Sequence, residues 1–154
     1  NNAVCEGFIN DTAYIFTFGG IDSTKVFSGI HLRSYRYNVS SGEVIQIPDL
    51  PDNRGKIAAA ASRIGDIIYI TGGYNVFQNG NETSSNKIHR YDVKNNVYLS
   101  DGKSIPVATD DHVQAVWNDS LIYVITGWSN SGNIPNVIKC FYWRSPPVFF
   151  HCST

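Results

Sequence analysis

Methionine is missing from all 154 positions of this chain, the first included, as expected of a processed product or of a stretch of a longer protein. Charge is scarce: 16% of residues are charged, 12 basic against 13 acidic, for a formal net charge of -1. No basic run occurs, so a phosphate backbone is not an expected partner and nucleic acid binding is set aside. Apolar runs stop at strand length, far short of the roughly 20 residues of a membrane helix, and no membrane span is expected. There are only three cysteines, Cys5, Cys140 and Cys152, none in the paired C-x-x-C spacing of a zinc site. Buried free thiols are the leading reading, with a Cys140–Cys152 disulfide as the alternative.

What replaces charge is Gly, Asn, Ser and Thr, the composition of short strands joined by turns. One apolar stretch occurs three times. NDTAYIFTFGG ends at Gly20, GDIIYITGG at Gly73 and NDSLIYVITG at Gly127, spaced by 53 and then 54 residues. Repeats of that length read as propeller blades. RYN at 36–38 and RYD at 90–92 keep the same period outside the glycine stretch. Four N-x-S/T sequons begin at Asn10, Asn38, Asn81 and Asn118. Asn10 and Asn118 are also matching turn positions, where Asn-Asp tolerates left-handed backbone.

The first two repeats each predict four strands. In the first, strands at 3–8 and 13–18 form a hairpin, a polar loop covers 21–29, and IHLRSYRYN and EVIQI follow, ended by Pro48 and Pro51. The second has a small apolar strand from Ile57 with four alanines, then a strand apolar on both faces, as one covered on both sides should be. A long loop over 75–85 leads to KIHRYDV and NVYLS. The third begins at HVQAVW and runs to Thr126-Gly127-Trp128, with a loop over 129–136. There the period fails: Ser145 stands where an aromatic is due, and the dense tail CFYWRSPPVFFHCST reads as foreign to the repeat, with no fourth strand, a divergent native cap being the alternative. The expected division is blade one over 3–51, blade two over 52–107, a partial blade three over 108–143 and an atypical tail over 144–154.

Arg54, the small strand from Ile57, IIYITGG with its glycine pair, the long loop and YDV before a turn together resemble the kelch repeat, and the whole is similar to part of a bacterial kelch protein. Two departures stand out: the fourth-strand tryptophan of the family is missing, with Val44 and Val97 or Tyr98 in its place, and Thr126-Gly127 replaces Gly-Gly. The resemblance implies an all-β fold of four-stranded antiparallel propeller blades, with the first strand of each nearest the central channel. Propellers have typically 4–8 blades. About two and a half to three blades cannot close a ring, so the remaining blades or self-association of copies would be needed, and open strand edges are an aggregation risk.

Candidate chemistry is sparse. The glycine pairs precede neither a helix nor Lys-Ser/Thr, so they are strand ends and not phosphate loops. Thr109-Asp110-Asp111-His112 crowds metal-ligand residue types, yet only Asp110 and His112 can share a face of an extended segment, and a third ligand is not apparent; neither metal nor other cofactor is expected. No nucleophile motif occurs. By the kelch resemblance, Arg54 precedes the innermost strand, with Asp110, Asp111 and His112 in the corresponding place one repeat later, so all four would line the channel mouth. A guanidinium beside carboxylates would suit an anionic or hydroxyl-rich ligand such as a sugar acid; an arginine bonding loop carbonyls is the plainer alternative. The three loops should share one rim, with Asp22, Asn75, Asn79, Asn81, Trp128 and Asn130 as candidate contacts, since a shared loop surface is the usual binding face of such a scaffold.

The leading reading is a non-enzymatic binding module for a protein or glycan partner. The alternatives are a sugar-processing enzyme resembling the kelch-type sialic-acid mutarotases, or a truncated fragment with no independent activity. A copper oxidase of the galactose oxidase type would need a cysteine–tyrosine and paired-histidine constellation that cannot be mapped here. The sequons, the Asn/Ser-rich surface and the absent start residue lean towards export.

Overall fold

Asn, Asp and Gly recur at the points where the chain must reverse, and the backbone shows why. The computed structural model describes residues 2–24, 26–130, 132–135, 137–142 and 150–153, with residues 139, 141, 142 and 150–153 described by backbone alone. Asn10 and Asp11 both take positive φ, at 48° and 63°. Such a pair closes a two-residue hairpin whose twist matches that of the flanking strands. Asn118 and Asp119 repeat the geometry at 51° and 47°.

Blade one consists of β1 (Ala3–Ile9), β2 (Thr12–Ile21), β3 (Ile30–Asn38) and β4 (Val44–Ile47), antiparallel and in that spatial order. A single 3-10 turn, Phe27–Gly29, lies in the loop between β2 and β3. Blade two contains β5 (Ile57–Ile64), β6 (Ile67–Val76), the short β7 (Glu82–Ser84), β8 (Ile88–Asp92) and β9 (Val97–Leu99). Its order is β5-β6-β8-β9, with β7 paired to the far end of β6. Blade three contains β10 (Val113–Trp117), β11 (Leu121–Ile125), a separate hairpin of β12 (Trp128–Ser129) and β13 (Gly132–Asn133), then β14 (Val137–Tyr142) and β15 (Phe150–Ser153).

The third blade therefore departs from the sequence expectation. β15 pairs with β14 along Lys139–Tyr142 and supplies the fourth strand that the broken period concealed. Part of the presumed foreign tail thus belongs to a blade, while residues 144–149 and 154 lie outside the described residues. The cysteine reading is corrected as well. Cys140 is disulfide-bonded, the register sets Cys152 opposite it, and Cys5 is the buried free thiol.

The blades stack face to face through two cores. Phe16, Phe18 and Ile47 of blade one meet Ile68, Ile70 and Tyr91 of blade two. Phe16, Phe18 and Tyr98 each lie within 6 Å of the Tyr91 ring, tilted or edge-on, the arrangement aromatic quadrupoles favour. Ile64, Tyr69 and Ile88 of blade two meet Ile122, Val124 and Ile138 of blade three. Because side chains alternate along a strand, β6 sends Ile68 and Ile70 one way and Tyr69 the other, which is why it reads as apolar without a break. Burial of each such side chain contributes about 1.5–3 kcal/mol.

The glycine pairs join successive blades. Gly20 donates its N–H to the Lys56 carbonyl at 2.8 Å, and Gly73 donates to the Thr109 carbonyl at 2.9 Å. Their partners Gly19 and Gly72 sit at φ of +62° and +64°, where an added Cβ would lie 2.5 and 2.1 Å from those same carbonyl oxygens. Only glycine permits both that backbone conformation and that approach. The first strands converge in consequence, with β5 between β1 and β10. Among the described residues no helix is long and apolar enough to cross a membrane.

Candidate functional site

The segments that lead into β5 and β10 bury several polar side chains, Lys56 in the first and Thr109, Asp110 and His112 in the second. Before β5, Asp52 sits at the centre of an ionic cluster. Lys56 Nζ and Lys87 Nζ each lie 2.9 Å from its carboxylate, and His89 Nε2 lies 3.4 Å away. The other nitrogen of His89, Nδ1, is 2.8 Å from Asp101. Lys56 and His89 are fully buried and Asp52 nearly so. Burial by itself would raise the Asp52 carboxyl, but hydrogen bonds from His89, Lys56 and Lys87 outweigh it and hold the group far below the usual carboxylate range. For Lys56 the balance goes the other way: desolvation depresses the ammonium in spite of Asp52. Removal from water thus costs the Lys56 ammonium more than its contact with Asp52 returns. Its buried members satisfy one another while Lys87 and Asp101 reach solvent; the cluster is structural, and sequence reasoning missed it.

The residues expected at the channel mouth do not form one group. The Arg54 guanidinium lies over the Phe77 ring, 4.3 Å from its centroid, and no ion pair joins it to Asp110 or Asp111 among the described residues. Asn75 donates from Nδ2 to the Gly55 carbonyl at 2.8 Å and the Arg54 carbonyl at 3.3 Å, binding the long loop to the connector below it. Asp22 accepts hydrogen bonds from the side chain and backbone N–H of Thr24, which lower its pKa. Asn79 accepts from the Asn81 N–H at 3.1 Å, and the Asn81 carbonyl accepts from the Phe77 N–H. Asn130 accepts from both the N–H and the hydroxyl of Ser84 at 2.7 Å, so the blade-three loop is tied to β7 of blade two. Most of the candidate rim polar groups therefore hold loops in shape.

The remaining candidates meet where blade three adjoins blade two. Asp110 pairs with Trp128 through two backbone hydrogen bonds of 2.8 Å, and the Asp111 N–H donates to the Ala58 carbonyl of blade two at 3.1 Å. Asp110 is buried, which raises its pKa, opposed by Ser84 and reinforced by the charges of Asp111 and Glu82. His112 is buried against Gly72, whose added Cβ would come within 2.9 Å of the ring. Burial lowers His112 to about 4. Gln114 lies close enough to favour the charged form slightly, yet neither ring nitrogen attains a hydrogen bond of normal geometry. His112 is thus an interblade residue, whereas Asp111 and Trp128 are exposed. Both line an open groove of about 520 Å³ with Thr126, Gly127, Asn133, Ile134 and Pro135. Among the described residues no three histidine, cysteine or carboxylate side chains are placed so that they could hold a metal ion.

Comparisons with known proteins agree with this architecture. Residues 58–98 match the family model of the Kelch motif. Among solved structures, that of YjhT superposes with a TM-score of 0.74 over 97% of this chain and 45% of that one, at 13% sequence identity. The chain thus spans less than half the length of YjhT. A search of the curated proteins returned no match. A Kelch motif thus occupies residues 58–98 in blade two, and the all-β antiparallel sheets of the chain have the fold of a partial kelch-type β-propeller.

Proposed function

We propose that the chain is a binding module that holds a protein or glycan partner on its rim loops and on the segments leading into the first strands, with further blades or a second copy completing the ring. The observation that carries this reading is the groove at the blade-three rim, where Asp111 and Trp128 stand exposed on a rigid sheet scaffold. Exposed polar and aromatic side chains on rigidly supported loops are the usual means of recognition in such folds. The enzymatic alternative would place an acid–base pair beside Arg54. That guanidinium instead covers Phe77.

Partner capture by the tagged parent protein tests the proposal, followed by the same experiment with the loop at 75–85 shortened. Loss of the captured partner is expected. Equal capture by both proteins would remove that loop from the binding face.

A further inference from the structure

The groove beside Trp128 has a definite chemical character. Among the described residues its polar lining is a carboxylate, a threonine and an asparagine, its aromatic surface is one indole, and no lysine or arginine lines it. Trp128 is 47% exposed. Neither its indole N–H nor the Asp111 carboxylate has a hydrogen-bond or ion-pair partner among the described residues, whereas Asn75 and Asn130 on the neighbouring loops are engaged. Asp110 and Glu82 stand close enough that their charges act on Asp111's surroundings, raising Tyr74 together with Asp111 after the larger effect of its burial. The local field is negative.

Blade two serves as an internal control. Asp111 has φ of 49°, and its counterpart Ala58 has 54°; Thr126 has 56°, and its counterpart Gly72 has 64°. Tyr74 pairs with Ile57 as Trp128 pairs with Asp110. The scaffold accordingly folds with Ala, Gly and Tyr at these places, and blade three substitutes Asp, Thr and Trp. Left-handed backbone is costly for a β-branched residue, so Thr126 is not there for the sake of the turn.

We infer that this groove takes a basic side chain of a partner protein, an arginine guanidinium or lysine ammonium, stacked on the Trp128 indole with its charge on the Asp111 carboxylate. A cation over an indole face is drawn by the ring quadrupole, and the planar guanidinium fork also suits one carboxylate. An acidic ligand, including a sugar acid, would meet the Asp111 carboxylate and, among the described lining residues, no cationic side chain to offset it. The inference rests on the binding-module reading and specifies the partner chemistry of that face.

The test uses Nα-acetyl-arginine amide as probe and the Trp128 indole N–H resonance as readout, assigned with Trp128→Phe. A saturable shift with a millimolar midpoint is expected. It should weaken by about fivefold or more in Asp111→Asn and in high salt, as a screened charge contact does. Asparagine tolerates the left-handed conformation of Asp111, so this variant keeps the fold, and a dispersed spectrum checks that it does. Nα-acetyl-glutamate amide and methyl glucoside should leave the resonance in place. No saturable shift with the arginine probe, an equal shift in Asp111→Asn, or an equal response to either control would overturn the inference. If the arginine probe fails while shortening 75–85 still abolishes partner capture, the basic-ligand inference falls and the binding module stands. A working arginine site with unchanged capture has the opposite meaning.

Discussion

Acidification should loosen the contact between blades two and three, and His112 sets the size of the effect. Its ring is buried over Gly72 with no hydrogen bond to either nitrogen, and burial holds it near a pKa of about 4 against roughly 6.5 in an unfolded chain. A histidine with a depressed folded pKa contributes its stability above the unfolded value. That stability is lost as pH falls from about 6.5 towards 4, because the unfolded chain takes up the proton first. Each pKa unit is worth about 1.4 kcal/mol, so the full loss is about 3 kcal/mol, of which about 2.5 kcal/mol should be gone at pH 4.5. Against the roughly 5–15 kcal/mol of a typical domain this is a large share. Asp110 works in the opposite direction, since its raised carboxyl favours the folded state on acidification, and Asp52 begins to matter only as its unfolded form protonates. Urea midpoints at pH 7.5 and 4.5 for the parent and for His112→Leu separate these groups. The variant should keep most of its stability at pH 4.5. Identical pH slopes for the two proteins would refute the assignment.

Asp52→Ala leaves Lys56 buried without its counter-charge and should cost about 3–5 kcal/mol in urea denaturation, with Asp52→Asn milder; a loss under about 1 kcal/mol would show the cluster to be hydrated. Thr126→Gly relieves about 1–2 kcal/mol of left-handed strain and returns part of it as unfolded-chain entropy, so a net gain of about 0.5–1 kcal/mol is expected and a destabilised variant would contradict it. Cys5, whose thiol burial pushes up to about 12, should resist alkylation at pH 8 in the native protein. One thiol should react in denaturant and three after reduction; three without reductant would exclude the Cys140 disulfide.

The blades were legible because their constraints are local and repeated. Glycine at 19, 20, 72 and 73 marks the places where the next blade's carbonyl approaches, and the aromatic in RYN and RYD marks the third strand. The fourth strand of blade three was not legible because it had to be recognised by period, and the period breaks near Ser145. Nor was the ionic cluster, since Asp52 and His89 are 37 residues apart and follow no repeat. Arg54 illustrates a different error. By register Asp110 and Asp111 match Ile57 and Ala58, so Arg54 corresponds to Val107 and not to them, and even equivalent positions are related by the rotation between blades, which does not bring them into contact. Arg54 consequently found Phe77 of its own blade, whereas Asp110 and Asp111 found Trp128 of theirs.

The same distinction bears on the two outer faces. Ile68, Tyr91 and Val93 lie buried where blade two meets blade one. Their counterparts in blade one, by register, are Ile15, Tyr37 and Val39, the same three residue types. These are 36%, 42% and 50% exposed. On the far side of blade three, Val113 and Trp117 are similarly exposed, although Ile122 and Val124 on the near side are buried. A sheet with one wetted face ordinarily alternates apolar with polar residues. Blade one does not; it keeps on its outer face the side chains that blade two uses for packing. Apolar surface costs about 25 cal/mol per Å² to leave in water, which gives a positive physical reason for a further blade, from a longer chain or a second copy, to cover that face. The groove at Trp128 lies on the rim of blade three, with Asp111, Thr126 and Trp128 exposed in its lining, and the proposed recognition of a basic side chain uses blade three alone.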